Sequence, residues 1–268
     1  MKKDVLGKDC SNLKNKKLYL FDMDGTIYLD NKLFDGVIEL MREITEKGGK
    51  YVFITNNSSC SVKDRVKKLN GMGIEVDDDN FFTSTQASCL LLKKEFGNEL
   101  IYAQGTKSFI KELKKSGLNV TTKYDQKAKA VLVGYDTELT SEKLKTTCKM
   151  LKNDVKYYAT NPDWVCPVEF GYVPDCGSMC FGIEKATGKS PKFIGKPQPD
   201  MIYSAMDKNG FNKDQTLVIG DRIYTDIASG YNAGVDTLLV LSGEATMKDY
   251  EESQIKPTFV LNSVKDLL

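Results

Sequence analysis

The sequence predicts an α/β fold, in which a parallel sheet carries helices on its faces and a second α/β module is inserted. Hydrophobic runs of strand length alternate with helical patterns, as in repeated βαβ units. The first strand runs straight into Asp22-Met23-Asp24-Gly25, and the 268 residues contain no histidine. Because ligands bind at the carboxyl ends of strands in such sheets, these observations indicate a site in which carboxylates do the chemistry.

The sequence pattern of the N-terminal third predicts two strands and two helices. A strand over residues 18–21 is followed by a helix with apolar residues at helical spacing, namely Val37, Leu40, Met41 and Ile44. Two glycines then end this helix, and the second strand covers residues 50–55. A further amphipathic helix is marked by Val62, Val66 and Leu69. These elements form the first half of the predicted core.

The middle of the chain has a different character and is predicted to be the inserted module. Short strands alternate with lysine-rich helices, with strands at 100–102, 130–133 and 156–159 and helices at 107–115 and 141–152. The segment could extend the main sheet, but it is long enough for a compact domain between two halves of the core. We therefore predict a core from residues 1–84 and 181–268, and a cap from residues 85–180.

The alternation of strands and helices returns in the last third of the chain. Strands are predicted at 192–194, 216–219 and 237–241, and helices at 200–208 and 224–232. Each of these strands ends in polar residues. We therefore expect this segment to complete the core sheet.

Composition excludes several classes of protein. Lys plus Arg number 38 and Asp plus Glu 37, which favours neither a nucleic-acid nor a membrane surface. No stretch approaches the ~20 apolar residues of a membrane span, and the first seventeen residues lack an apolar signal core. The seven cysteines are scattered along the chain, which is typical of a protein whose thiols stay reduced. We expect a soluble, cytoplasmic protein.

The pair of aspartates after the first strand admits more than one interpretation. Asp-x-Asp-Gly is common in turns and in calcium loops. A calcium loop needs a glutamate at its twelfth position, which counted from Asp22 is Leu33, so the calcium interpretation fails. Asp22 and Asp24 are therefore candidates for a shared catalytic site, and Gly25 allows the backbone to turn close to a ligand.

Polar residues follow three further strands. Thr55-Asn56-Asn57 offers a hydroxyl, amides and N–H groups before a helix, which suits a phosphate oxygen, although Asn is also a common helix cap. Lys196 follows a short strand, where most lysines are solvated. Asp221 follows another strand, with Asp226 one helical turn further on. Alone, Asp221 could be a helix cap.

In combination, these groups resemble the four ordered motifs of haloacid dehalogenase superfamily phosphatases. The motifs are Asp22-Met23-Asp24-Gly25-Thr26, Ile54-Thr55-Asn56, Lys196 in Gly-Lys-Pro, and Gly220-Asp221 with Asp226. Ala159-Thr160-Asn161-Pro162-Asp163 and the stretch from Gly177 to Pro197 are similar to the NagD-like (p-nitrophenylphosphatase) branch. Nearly the whole chain after residue 16 takes part in this resemblance, which implies a Rossmann-like core with a large α/β cap of the C2 type.

The resemblance implies a phosphomonoesterase that works through an aspartyl-phosphate. Asp22 would attack phosphorus, and Asp24 would protonate the leaving group and then activate water. Mg²⁺ would be held by the Asp22 carboxylate, the Asp24 main-chain carbonyl and Asp221. Lys196 would offset charge on the nucleophile and the phosphoryl group, and Asp226 would support it or act through water.

The same resemblance assigns the remaining core residues. Thr55, Asn56 and Asn57 would bind phosphoryl oxygens, while Gly25 and Thr26 would support the first motif. In the cap, a predicted loop from residue 161 to 177 carries the candidate substrate contacts Asn161, Asp163, Trp164, Phe170 and Tyr172. Trp164, the only tryptophan, could stack on a base, or belong to the cap core or to a homodimer contact.

Several alternatives stay open at this point. Related enzymes act on nucleotides, sugar phosphates, phosphoglycolate or pyridoxal phosphate, so the motifs do not identify the small phosphorylated metabolite. A phosphotransferase would carry a helical cap between motifs one and two, for which the stretch from Asp24 to Thr55 is too short. A regulator that binds phosphate ligands without catalysis is the rival from another class. Because histidine is absent, histidine-dependent phosphatases, zinc sites and triads are excluded.

Overall fold

The computed structural model describes residues 2–168 and 170–268. Its strands are β1 (Leu18–Phe21), β2 (Tyr28–Leu29), β3 (Lys32–Leu33), β4 (Lys50–Thr55), β5 (Phe81–Thr83), β6 (Ile101–Gln104), β7 (Val120–Thr121), β8 (Ala130–Val133), β9 (Lys156–Ala159), β10 (Val165–Val168), β11 (Gly171–Pro174), β12 (Lys192–Phe193), β13 (Thr216–Gly220), β14 (Asp236–Val240) and β15 (Phe259–Leu261). Its helices are α1 (Val37–Glu46), α2 (Val62–Gly71), α3 (Ser84–Phe96), α4 (Lys107–Lys115), α5 (Ser141–Met150), α6 (Cys176–Thr187), α7 (Asp200–Asn209), α8 (Ala228–Ala233) and α9 (Met247–Glu252).

The core sheet has, among the described residues, six parallel strands in the order β15-β14-β13-β1-β4-β5. Leu18 and Leu20 of β1 pack into one hydrophobic cluster with α3, α7 and α8, whereas Tyr19 and Phe21 pack into another with α1 and α2. Helices thus cover both faces, and all of β1 is buried, as expected for a central parallel strand. The predicted parallel α/β core is confirmed.

The register of the core strands aligns their carboxyl ends. Phe21, the last residue of β1, lies opposite Ile219 of β13 and Phe53 of β4. The residues that follow these positions therefore emerge at one edge of the sheet, which is where the sequence places the acidic and phosphate-loop motifs.

A second sheet forms the cap. In the part of the chain that the structure describes, it has five parallel strands in the order β12-β9-β8-β6-β7. Helix α6 packs on it through Cys176, Cys180 and Ile183. The predicted boundary at residue 180 is wrong, because it falls inside α6 and because β12 pairs with β9 through Lys192 opposite Tyr158. The cap therefore ends after Phe193.

An antiparallel hairpin, β10–β11, projects from the cap, with Val165 opposite Pro174 and Val168 opposite Gly171. The sequence predicted a loop from residue 161 to 177. The hairpin strands are short and contain no fully buried residue, so they lack the apolar alternation by which a strand is recognised.

Polar and apolar contacts join the core to the cap. Ser58, after β4, shares a hydrogen bond of 2.9 Å with Thr160, after β9, and accepts another from Tyr135 N at 2.8 Å. One apolar cluster contains Leu20 of the core sheet and Leu132 of the cap sheet. The two sheets therefore share part of their hydrophobic interior. Among the described residues, no helix has both the length and the apolar character needed to cross a bilayer.

Candidate active site

The turn after β1 fixes the positions of the two aspartates. Gly25 N donates to Tyr28 O at 2.8 Å and Thr26 N donates to Met23 O at 3.2 Å, so the chain turns back directly after Asp24. Gly25 has φ +84°, and a Cβ at this position would lie 2.4 Å from Asp221 Oδ2. Glycine is therefore required both by its conformation and by the approach of the second acidic motif.

Asp221, which follows β13, is almost completely buried. Thr26 Oγ1 donates to its Oδ1 at 3.3 Å, and Glu244 N donates to its Oδ2 at 2.7 Å. Thr26 and the main chain of Glu244 thus hold the carboxylate that the sequence predicts to bind a metal, and Gly25 leaves space for it. Burial, and after it the charge of Asp226, raises the pKa of Asp221 to about 7.

Lys196 connects three of the strand ends. Its buried ammonium donates to Asp22 Oδ1 and to Asp226 Oδ1, both at 2.5 Å, and to Ile54 O at 3.0 Å. Burial alone would lower the pKa of Lys196, but the charges of Asp22 and Asp226 outweigh burial and raise it. The lysine is therefore a fixed cation beside Asp22.

The loop after β4 is held from both domains. The Asn56 amide nitrogen donates to Lys196 O and to Asp163 Oδ1, both at 3.0 Å, and its oxygen accepts from Lys196 N at 2.8 Å. The Asn56 side chain therefore positions Lys196 and Asp163. Because its amide is engaged in these bonds, the main chain of Asn56 is the part left to contact the phosphate that the sequence predicts here. Asn57 N donates to Thr55 Oγ1 at 3.2 Å, which fixes the hydroxyl next to it.

Three acids form a candidate metal centre. Carboxylate oxygens of Asp22, Asp221 and Asp226 lie within 4.8 Å of one another. Burial, followed by the charge of Asp226, raises the pKa of Asp22 well above its ordinary value. Hard oxygen donors that repel one another in this way suit Mg²⁺. Asp226 already binds Lys196 and accepts from Arg222 N at 3.0 Å, so Asp22 and Asp221 are the better direct ligands.

The site residues surround one pocket between the core and the cap. Those among the predicted residues that line it are Asp22, Asp24, Thr55, Asn56, Asn57, Asp163, Lys196 and Asp226. Asn161 lies behind the wall, where its amide donates to Asn56 O at 2.7 Å. Trp164 lies outside the pocket lining, with its ring edge-on to Phe181 at 5.8 Å and 53% exposed. The predicted stacking on a base therefore has no geometric support.

Sequence reasoning missed the residues by which the cap closes this pocket. Cys166 and Pro167 of the hairpin line it, together with Asp175 and Arg222. Arg222 Nη1 lies 3.4 Å from Asp163 Oδ2, so motif four contacts the cap directly. The sequence does show Arg222 next to Asp221 and Asp175 before a helix. Arginine is usually a surface charge and aspartate before a helix is usually a cap, so neither residue indicates a site by itself.

Family comparisons agree with this geometry. Residues 19–119 match the haloacid dehalogenase-like hydrolase family, and residues 193–267 match the HAD-hydrolase-like family. An acid sugar phosphatase of Staphylococcus aureus is 32% identical over 95% of this chain and 96% of its own length. The ribonucleotide monophosphatase NagD of Escherichia coli is 32% identical over 94% of this chain and 98% of its own length.

Solved structures extend the comparison to the whole fold. A 4-nitrophenylphosphatase from Thermotoga maritima superposes with a TM-score of 0.88 at 39% identity, covering 95% of this chain and 97% of its own. A glycerol phosphate phosphatase from Mycobacterium tuberculosis, solved in complex with magnesium, gives 0.88 at 26% identity and covers 94% and 76%. The chain is therefore a phosphomonoester hydrolase that belongs to the haloacid dehalogenase-like family, in its NagD-like and p-nitrophenylphosphatase branch.

Proposed function

We propose that the phosphatase works through an aspartyl-phosphate formed on Asp22. The observation that carries this proposal is the contact of Lys196 with Asp22 Oδ1, because it leaves the second oxygen free to attack phosphorus. The bond that forms joins Asp22 to phosphorus, and the bond that breaks is the one to the substrate alcohol. Asp24, on the same pocket wall, gives the alcohol its proton.

The second half of the reaction returns the enzyme to its starting state. Water attacks the phosphorus of the aspartyl-phosphate while Asp24 takes a proton from the water. The bond between Asp22 and phosphorus breaks, inorganic phosphate is released, and Asp22 is again a carboxylate. Thr55 and the N–H groups of its loop bind the phosphoryl oxygens that face the pocket. Lys196 keeps its charge throughout and favours the negatively charged transition state.

We propose Mg²⁺ as the cofactor, held by the carboxylates of Asp22 and Asp221 and the main-chain carbonyl of Asp24. The support is the set of mutually repelling oxygen donors and the magnesium named with the mycobacterial structure. When bound, the ion neutralises charge between the nucleophile and the phosphoryl oxygens. Asp226 acts by holding Lys196 and the main chain of Arg222.

The relatives indicate the type of substrate. Their names refer to sugar phosphates, ribonucleotides, 4-nitrophenyl phosphate and glycerol phosphate. We propose that this enzyme hydrolyses small phosphorylated metabolites of this kind and accepts p-nitrophenyl phosphate. The intact catalytic set counts against a regulator that only binds phosphate ligands.

Two measurements test the mechanism. Asp22→Asn keeps an acceptor for Lys196 but removes the nucleophile, so kcat for p-nitrophenyl phosphate should fall by at least about a thousandfold. The exposed Asp154→Asn is the matched control and should keep its activity. EDTA should abolish hydrolysis and Mg²⁺ restore it. Substantial turnover by Asp22→Asn would refute the nucleophile, and turnover in EDTA would refute the metal.

A further inference from the structure

The wall of the pocket that the cap contributes is acidic. Asp163, before the hairpin, and Asp175, directly after it, both line the pocket and are only 5% and 3% exposed. Asp163 accepts from the Asn56 amide, and Asp175 caps α6 by accepting from Cys176 N. Between them, Cys166 and Pro167 supply uncharged surface. The substrate alcohol therefore meets carboxyl groups and neutral groups on this side.

Both basic residues that line the pocket are already engaged. Lys196 is held by Asp22 and Asp226. Arg222 lies 3.4 Å from Asp163 and 2.8 Å from Glu244, and its Nη2 donates to Val165 O at 3.3 Å. Among the described residues that line the pocket, no basic side chain is left to bind a second anionic group of a substrate.

The charge balance of the pocket points the same way. Five of its thirteen lining residues are aspartates and two are basic, so acidic side chains outnumber basic ones in the lining. Burial, followed by the charge of Asp163, raises the pKa of Asp175 to about 8. A carboxylate introduced by a substrate would meet the same unfavourable field.

We propose that this site selects phosphate monoesters whose alcohol part is uncharged or cationic, and that Asp163 and Asp175 of the cap reject substrates with a second anionic group. The inference rests on the proposed phosphatase function and narrows its substrate class to polyol, sugar and amino-alcohol phosphates. It separates these compounds from phosphoglycolate and phosphoglycerate, which differ from them by one carboxylate.

Two cations outside the lining, Lys68 and Arg65, lie on α2. Lys68 Nζ lies 3.8 Å from the centre of the Tyr28 ring, and the Arg65 guanidinium donates to Asn57 O. Both therefore have partners behind the first and second motifs. Lys68→Met serves as an additional arm of the experiment, because Lys68 is the residue that would bind a second anion if the cap did not exclude it.

The experiment compares substrates of nearly equal size. The first pair is 2-hydroxyethyl phosphate and phosphoglycolate, and the second is glycerol 3-phosphate and 3-phosphoglycerate, at one pH well above 8, so that Asp175 is ionised, and with Mg²⁺ in excess. We expect kcat/KM to favour the uncharged member of each pair by at least about tenfold. 2-Aminoethyl phosphate should be hydrolysed at least as well as 2-hydroxyethyl phosphate.

Variants of the cap acids assign the selection to these residues. Asp175→Asn retains a helix cap and Asp163→Asn retains an acceptor for Asn56, while each removes one charge. Asp163→Asn also releases Arg222 from its partner in the cap. In each variant the ratio of kcat/KM values within a pair should shrink to about threefold or less, whereas Asp154→Asn on the cap surface should leave it unchanged.

The possible failures can be told apart. If no compound, including p-nitrophenyl phosphate, is hydrolysed, the phosphatase proposal fails and the selection with it. If phosphoglycolate is hydrolysed as well as 2-hydroxyethyl phosphate, only the selection is overturned, and loss of that activity in Lys68→Met would show which cation binds the carboxylate. Unchanged ratios in both Asp175→Asn and Asp163→Asn would overturn the role of the cap acids.

Discussion

At the scale of single residues, Gly25 is under two separate constraints. Its φ of +84° disfavours any other residue, and Asp221 leaves no space for a Cβ. Gly188, which ends α6, has φ +70° and no atom within 4 Å of a Cβ position. The two glycines therefore differ in contact but not in backbone conformation, which allows the effects to be separated.

Gly25→Ala should displace Asp221 and weaken the metal site. We expect a higher Mg²⁺ concentration for half-maximal p-nitrophenyl phosphate hydrolysis and a lower maximal rate. Gly188→Ala should lower the free energy of unfolding by about 1 kcal/mol, because it adds only backbone strain, and should keep the Mg²⁺ requirement. Titration of activity with Mg²⁺ measures the Mg²⁺ requirement of each variant, and urea unfolding measures the free energy of unfolding. Equal Mg²⁺ requirements in the two variants would contradict the contact with Asp221.

Residues of the site differ in how far the sequence could identify them. Asp22, Asp24, Thr55 and Lys196 follow short or buried strands in a recognisable order, so their meeting at one pocket could be predicted. The contact between Arg222 and Asp163 depends on how the cap folds back over the core. No pattern in the sequence indicates how the cap folds over the core, so the contact between Arg222 and Asp163 could be found only in the structure.

At the scale of secondary structure, the β10–β11 hairpin is the weakest part of the cap. Its residues are exposed or half-buried, whereas all four residues of β8 are buried. A two-stranded ribbon without a buried face is only marginally stable. Cys166 and Pro167 of this hairpin line the pocket that contains Asp22, so the hairpin forms its roof and is the element that we expect to open when substrates enter.

Amide hydrogen exchange should show this difference directly. We expect the amides of Val165–Val168 to exchange at least about a hundredfold faster than those of Ala130–Val133, because local opening of the hairpin exposes little apolar surface. Addition of Mg²⁺ and orthovanadate should slow exchange in the hairpin and leave β8 unchanged. Equal protection of β8 and β10 in the free enzyme would refute a separately opening roof.

Predictions of the elements succeeded where the strands are long and buried. β4, β8 and β9 have the predicted bounds, because runs of apolar residues mark both their extent and their type. β12 was expected in the core sheet but pairs in the cap, since two residues carry no information on which sheet they join. The domain boundary was misplaced for the same reason.

At the scale of the whole molecule, core and cap share buried polar bonds as well as apolar surface. Ser58 is fully buried at the junction and bonds to both Thr160 and Tyr135 of the cap. Ser108 is a second junction serine, which accepts from Ser61 N at 3.0 Å in a part-buried bond and donates to Asp64 in an exposed one.

Ser58→Ala should destabilise the protein by about 1–3 kcal/mol, since Tyr135 N and the Thr160 hydroxyl would lose a partner where water cannot replace it. Ser108→Ala removes hydrogen bonds at a position that solvent partly reaches, so it should cost less than Ser58→Ala, about 0.5 kcal/mol. Urea unfolding, followed by circular dichroism, measures both. Equal losses would contradict the importance of the buried junction.

The position of Lys196 ties catalysis to the order in which the chain is completed. It follows β12, the edge strand of the cap sheet, and Gly195 N bonds to Thr160 O of the cap at 2.8 Å. A core that has formed without its cap would have Asp22 and Thr55 but would lack the main-chain bond by which the cap fixes the segment that carries Lys196. We therefore expect that immature or partly unfolded chains cannot dephosphorylate metabolites indiscriminately, because the roof that selects substrates and the cation that activates the enzyme are assembled together.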